Sequence, residues 1–167
     1  MALHDDLLEQ ADHLASRELK KPRQASLRRA VSAAYYALFH LLAAEGARKL
    51  FPAQPTWLRP RIRRVYVHAQ MKEVCQLFGK PRLPNGLARL FPDPIEPELR
   101  AVAAAFVALQ DARHQADYDF ALTLTRVDAL QKIQAARGAV RSWQSIRANP
   151  NATVFLTALL LHRQWRG

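Results

Sequence analysis

The segment from Gln24 to Leu50, QASLRRAVSAAYYALFHLLAAEGARKL, constrains the fold more than any other part of this sequence. It contains no proline, and its apolar residues recur at the three- and four-residue spacing of one helix face. That face carries Leu27, Ala30, Val31, Ala34, Leu38, Leu41 and Leu42. The segment therefore predicts one long helix with a buried stripe.

The rest of the chain favours the same class of structure. Alanine and leucine dominate, only 5 glycines occur, and no run alternates apolar and polar residues as a strand does. A chain of 167 residues can bury a core as one domain without disulfides or metals. We predict a single all-α domain over residues 1–167, an antiparallel bundle of about five helices.

Helical spacing and turn residues predict the other boundaries. The predicted helices cover 3–20, 24–50, a stretch from about Pro60 to 77, a short piece at 87–91, 97–115, 121–148 and a short terminal helix at 151–166. The proline-rich stretch 79–97 is the one long connection. Pro97 suits the first turn of the helix that follows it.

Charge indicates the class of partner. Lysine and arginine outnumber the carboxylates by 25 − 14 = 11, and the sequence pI is about 10.7. A polyanion such as RNA fits this balance, because guanidinium groups match phosphate oxygens. The alternative is a genome whose codons favour arginine, in which case the charge says nothing about function.

The sequence also suggests a compartment. The single Cys75 excludes an internal disulfide framework, which favours a reducing cytoplasm, and its apolar surroundings indicate a buried, inert thiol. The start, MALHDDLLEQADHLA, has neither the basic nor the apolar part of a signal peptide. VFLTALLL is too short to cross a bilayer, so we expect no membrane association.

A polar stripe runs along the helix predicted at 24–50. Arg29, Tyr36 and His40 lie within about 20° of one line on a helical projection. Such a stripe, with small neighbours, suits a surface on which another chain packs. The alternative is an ordinary amphipathic helix whose tyrosines lie at the edge of the core.

The stretch ARHQADYD, from 112 to 119, is the densest group of chemically active side chains. Its members are Arg113, His114, Asp117, Tyr118 and Asp119. Arg113 continues an apolar stripe, so it has to reach solvent or find a partner. The stretch is either a functional site or a helix-end salt bridge, with Asp119 or a later threonine capping the next helix.

Two stretches of the sequence, LRRAVSAAYYALFHLLAAEGA and DARHQADYDF, resemble motifs of the small stand-alone bacterial members of the HEPN superfamily. The resemblance covers residues from about 5 to about 145. It implies a helical bundle that forms a homodimer and binds RNA or a nucleotide, without a metal or other cofactor. It also implies a nucleotidyltransferase partner, since such proteins are often encoded beside one as a toxin–antitoxin pair.

Many proteins of that superfamily are ribonucleases that use an arginine, the polar residue after it and a histidine a few positions later. By resemblance, Arg113 and His114 match the first two. The slots for the histidine hold Tyr118, Asp119 and Phe120. A phenol with a pKa of about 10 is a poor general base at neutral pH, so the usual chemistry is expected to be weakened, altered or lost.

A second match to the arginine–histidine spacing is Arg63 with His68 in RIRRVYVH, which we interpret as coincidence in an arginine-rich chain. Arg63 and Arg64 nevertheless form a candidate phosphate-contacting patch. The six histidines lack the paired spacing of a zinc site, and no glycine-rich phosphate loop is present.

Three functions remain open on these residues. The first is a dimeric RNA- or nucleotide-binding module with Arg113, His114, Asp117 and Tyr118 in a cleft. The second is an active metal-independent endoribonuclease, a toxin, with His40 or His114 as its imidazole. The third is an interaction protein in which the polar cluster only holds the helix junction.

Overall fold

The structure, a computed structural model, describes residues 2–166, and within them the chain is helical with no strand. Eight α-helices occur in this part of the chain: α1 (Leu3–Ser16), α2 (Gln24–Leu50), α3 (Arg59–Arg63), α4 (His68–Phe78), α5 (Asn85–Ala88), α6 (Pro97–Tyr118), α7 (Arg126–Ile146) and α8 (Pro150–Leu161), followed by a 3₁₀ turn (Gln164–Arg166). The all-α prediction is confirmed, and the limits of α2 are those predicted.

The centre of the fold is α2, on which α1, α6, α7 and α8 all pack. Leu27, Leu38 and Leu42 are fully buried, and residues on other faces of the same helix, such as Ala33 and Ala43, are buried as well. Burial therefore extends well beyond the predicted stripe. A helix covered on most sides gains hydrophobic stabilisation along its whole length, which explains why its limits were readable from sequence.

The first helix ends at Ser16, earlier than the predicted limit of 20. The guanidinium of Arg126, at the start of α7, takes the backbone carbonyls of Ala15, Glu18 and Leu19 as hydrogen-bond acceptors. These carbonyls bond to a side chain rather than to a further turn of helix. Pro22 is therefore not what ends α1.

The single helix predicted from Pro60 to 77 is wrong, because the chain breaks between α3 and α4. Val67, just before α4, is extended, with φ −107° and ψ 124°. The break turns Tyr66 inward, where it is buried and its hydroxyl donates to the carbonyl of Leu156 at 3.5 Å. Insertion of one aromatic ring into the core thus interrupts an otherwise helical pattern.

The α6–α7 junction also differs from its prediction. α6 continues past 115 to Tyr118, and α7 begins at Arg126 rather than near 121. Thr125 caps α7, accepting from the backbone N–H of Asp128 at 3.1 Å, while the Asp128 carboxylate accepts from the Thr125 N–H at 2.7 Å. The later threonine is therefore the helix cap.

Two further sequence predictions concern burial. Cys75 is buried on α4, as predicted, and burial raises the pKa of its thiol, which keeps it protonated. No helix within residues 2–166 combines the length and apolarity needed to cross a bilayer.

Tyr66 makes a stability prediction possible at Gly46, in the penultimate turn of α2. A Cβ added there would lie 1.7 Å from the Tyr66 hydroxyl oxygen and 2.4 Å from its Cζ. We expect Gly46→Ala to lower the free energy of unfolding by about 2 kcal/mol, because a buried ring has to move. Urea unfolding measures this.

The matched control is Gly138→Ala in α7, where the nearest atom to an added Cβ is an Arg141 nitrogen at 3.9 Å. Removing a glycine from a helix interior without a clash should stabilise by roughly 0.5–1 kcal/mol. The same substitution thus has opposite signs at the two sites. Stabilisation at both would show that Tyr66 does not pack on Gly46.

Candidate functional site

Arg113 and Asp117 form an ion pair on the side of α6 that faces α2. Their Nε and Oδ2 atoms are 2.8 Å apart, and the side chains are 24% and 23% exposed. The Arg113 Nε–H is nevertheless not aligned as a hydrogen bond, so the contact is one of charge. Ser32 of α2 donates its hydroxyl to the other carboxylate oxygen, Oδ1, at 2.8 Å.

Tyr36 of α2 completes this group. Its hydroxyl oxygen accepts from Arg113 Nη2 at 3.1 Å, and the Arg113 Cζ lies 5.5 Å from the centre of its ring. The guanidinium is therefore held between a carboxylate and an aromatic ring. Arg29, two helical turns before Tyr36, is exposed. It lines a shallow cavity of about 350 Å³ together with Ser32 and Tyr36.

The rest of the ARHQADYD stretch faces elsewhere. His114 and Tyr118 are exposed, and their ring centres are 4.9 Å apart one helical turn from each other. Asp119 lies in the turn after α6, where its carboxylate accepts from the backbone N–H of Ala121 at 2.9 Å. The stretch thus divides into a pair that contacts α2 and a pair that faces solvent.

Two imidazoles adjoin Tyr36 from the other direction. His40 stacks on the Tyr36 ring at 6.1 Å between centres, which supports its place on the predicted stripe. His68, at the start of α4, stacks on Phe39 at 3.9 Å and meets the Tyr36 ring edge-on at 5.9 Å. His68 was set aside in the sequence as a coincidental match, and the structure brings it to the site.

A hydrogen bond from the core orients His68. The Tyr35 hydroxyl oxygen lies 2.6 Å from His68 Nδ1, and Tyr35 is fully buried. Burial raises the pKa of the Tyr35 phenol, so its proton stays on. A Tyr35 O–H that donates to Nδ1 places the proton of the neutral imidazole on Nε2.

The electrostatics keep both imidazoles neutral at pH 7. Burial lowers the pKa of His68, and the positive charge of Arg113 and the proximity of His40 lower it further. Burial also lowers the pKa of His40, with a second contribution from Arg63. These histidines can donate and accept hydrogen bonds without adding charge.

Arg63 and Arg64 lie at the rim of an open cavity of about 530 Å³ between α2, α3 and α4. Both are exposed, and within residues 2–166 neither pairs with a carboxylate. His40 and His68 line the same cavity. Arg63 and Arg64 of RPRIRR and the histidines next to Tyr36 therefore line the same cavity.

Sequence reasoning also overlooked Arg28, which holds the α6–α7 junction in place. Its guanidinium donates to the carbonyls of Ala116 at 2.7 Å, Asp119 at 2.9 Å and Leu122 at 2.5 Å. Its neighbour Arg29 was singled out instead. Helical spacing could have identified Arg28, because on a helical projection it lies closer to the buried Leu27 than Arg29 does.

Comparison with known protein families, curated proteins and solved structures finds no significant match to this chain. Within the described residues, no group of three or more histidine, cysteine or carboxylate side chains is placed to hold a metal ion.

The Arg28 contacts generate a second stability prediction. Arg28→Met keeps the apolar stem but removes donors to three carbonyls at the end of a helix, so we expect a loss of about 3 kcal/mol. Arg29→Met, one residue along, should change the free energy of unfolding by less than about 0.5 kcal/mol. Equal effects in urea unfolding would contradict the assigned role of Arg28.

The two histidines generate a pH prediction. Because their pKa values are lowered in the folded state, the unfolded chain binds protons first, at its ordinary value of about 6.5. Stability should be full above that pH and fall as the pH drops from about 7 towards 5. The free energy of unfolding, measured at pH 7.5 and 5.5, should fall less in a His40→Gln/His68→Gln variant.

Glu45 also has a lowered pKa, but its carboxylate affects stability at a lower pH than the two histidines do. Burial pushes the pKa of Glu45 up, but hydrogen bonds from Arg48 and Trp143 outweigh it and hold it below 4.5. Its contribution is lost only at a pH below that ordinary value. An equal pH dependence in wild type and the double variant would therefore contradict the histidine assignment.

Proposed function

We propose that this protein is a HEPN-like homodimer that binds RNA or a nucleotide. One observation carries the proposal: Arg29, Tyr36 and His40 follow one line of α2, Arg113 donates to Tyr36, and Arg63 and Arg64 share a cavity with His40. Arg29, Arg63 and Arg64 are exposed without a carboxylate partner within residues 2–166, whereas Arg113 is paired with Asp117. Guanidinium groups in this state suit phosphate oxygens.

The division of the polar stretch assigns its members different tasks. Arg113, held by Asp117 and Tyr36, presents a fixed cation to a phosphate, while Asp117 also anchors α6 to Ser32. His114 and Tyr118, which face solvent, are contact residues for RNA or for a second copy. Preorganised charge of this kind loses little freedom when a ligand binds.

The homodimer is supported by aromatic exposure at the α6–α7 junction. Tyr118 is 61% exposed and Phe120 is 93% exposed, close to each other in the chain. Exposed aromatic side chains are typical of contact surfaces between proteins. Two copies would also double the formal charge of +11 around a shared cleft, which favours a polyanion.

The alternative function is a metal-independent endoribonuclease, favoured by the neutral imidazoles near Arg113. In such a reaction the ribose 2′-oxygen attacks the adjacent phosphorus and the bond to the 5′-oxygen breaks. A neutral imidazole accepts the 2′-hydroxyl proton, a donor protonates the departing 5′-oxygen, and Arg113 stabilises the phosphorane charge. His40 replaces the histidine that the Tyr118 position lacks.

The test is incubation of total RNA with the protein in EDTA, with binding measured in parallel by fluorescence anisotropy. We expect wild-type protein to bind, and Arg113→Ala to weaken binding at least tenfold, because a charge-assisted phosphate contact contributes roughly 1.5–3 kcal/mol. Cleavage that is lost in the variant would establish the ribonuclease. Binding without cleavage would establish recognition alone.

The control for charge is Arg141→Gln, which removes an exposed arginine of α7 outside the proposed surface. Circular dichroism and urea unfolding show whether Arg113→Ala remains folded. If Arg113→Ala unfolds the protein while other variants bind as wild type does, the polar cluster is structural. In that case the third function, an interaction protein, replaces this proposal, and co-purification with a nucleotidyltransferase encoded next to the gene would test its partner.

A further inference from the structure

We propose that the cavity between α2, α3 and α4 binds one nucleotide unit, its phosphate on Arg63 and Arg64 and its base against a wall formed by His40 and Val67. The unit is either a free mononucleotide or one residue of an RNA chain. The inference rests on the proposed function for the class of ligand, but it places that ligand in a cavity distinct from the Arg113–Asp117 pair.

The cavity has the size and composition that a nucleotide requires. Its volume is about 530 Å³, within the range of about 300–1,000 Å³ typical of small-molecule sites. Val67 gives it exposed apolar surface, Phe39 and Tyr66 are buried behind it, and no carboxylate among residues 2–166 lines it. A flat base can therefore be desolvated against the wall without an acidic group that would repel its phosphate.

The charges lie where the phosphate would enter. Arg63 and Arg64 are consecutive, exposed residues at the C-terminal end of α3. No carboxylate within residues 2–166 pairs with either of them. Two guanidinium groups on one rim can bind a phosphate from two directions, which a single surface arginine cannot do.

His68 supplies a directed donor inside the cavity. The Tyr35 hydroxyl oxygen lies 2.6 Å from His68 Nδ1, and a phenol that donates there leaves the proton of the neutral ring on Nε2. Phe39, stacked on the imidazole at 3.9 Å, holds the ring plane. An imidazole N–H in a basic cavity can donate to an acceptor ring nitrogen of an adenine base.

These features separate a nucleotide from simpler anions. Inorganic phosphate would use only the arginines, whereas a nucleotide would also use the wall and His68. We therefore expect adenosine 5′-monophosphate to bind more tightly than either phosphate or adenosine alone. The open mouth leaves room for a ribose–phosphate chain to continue out of the cavity, so a short single-stranded RNA should compete with the mononucleotide.

The experiment is isothermal titration of the full chain with adenosine 5′-monophosphate, adenosine, inorganic phosphate and a short single-stranded RNA. The variants are Arg63→Gln/Arg64→Gln and, as a control, Arg141→Gln, which removes one exposed arginine outside the cavity. We expect the double variant to weaken monophosphate binding at least tenfold and the control to change it less than twofold. Imidazole resonances of His68 in NMR spectra should shift when the monophosphate is added to wild type.

The following outcomes would overturn the inference. Equal binding of adenosine and its monophosphate would remove the phosphate role of the two arginines. Unchanged His68 resonances would place the ligand elsewhere. If RNA binding survives in Arg63→Gln/Arg64→Gln but is lost in Arg113→Ala, the cavity is not the site, and the proposed function stands on Arg113 and the α2 residues without Arg63 and Arg64. If wild type binds none of these ligands, the proposed function fails together with the cavity.

If the monophosphate binds but the RNA neither binds nor competes, the ligand is a free nucleotide. Competition between the two, with tighter binding of the RNA, identifies the cavity as a pocket for one residue of a chain. Both results support the cavity as the site, and they assign its ligand to one source or the other.

Discussion

Burial of α2 on most of its sides is the constraint on which the rest of the structure depends. The helices α1, α3, α6, α7 and α8 pack on it, so its side chains are sorted by whether a neighbour can accommodate them rather than by one apolar face. Polar residues survive on such a helix only where a partner meets them. Ser32 meets Asp117, and Glu45, also buried, accepts a hydrogen bond from Trp143.

The consecutive tyrosines of α2 show how this sorting builds a site. Tyr35 points into the core and reaches His68 on α4, whereas Tyr36 lies at the core edge and reaches Arg113 on α6. Two residues that differ by one position therefore link two helices that are far apart in sequence. His68 and Arg113 come to the same part of α2 because Tyr35 is hydrogen-bonded to the imidazole and Tyr36 to the guanidinium.

The parts of this structure that could be predicted from sequence are those set by local pattern. The limits of α2, the position of Pro97 in the first turn of α6 and the burial of Cys75 follow from periodicity and composition. The division of ARHQADYD was also within reach, because Arg113 and Asp117 share a helix face that His114 does not. The density of polar residues in ARHQADYD predicts one cluster, but residues next to each other in sequence point to different sides of a helix.

Other features depend on contacts that no local pattern carries. The helical spacing from Pro60 to 77 is continuous, and only the fit of Tyr66 against Gly46 shows why the chain breaks there. His68 was dismissed because its spacing from Arg63 is common in an arginine-rich chain. Its significance comes from Tyr35, which lies 33 positions earlier in the chain.

The Arg28 contacts have a consequence for the order of folding. Residues 119–125, which join α6 to α7, contain no glycine, and the carbonyls at the end of α6 are bonded by a side chain from 88 positions earlier in the chain. A second side chain of α2, Gln24, exchanges two hydrogen bonds with the backbone of Leu124. The α6–α7 hairpin is local in sequence, yet its turn is completed only when α2 is in place, so α2 acts as the template on which the C-terminal half of the chain closes.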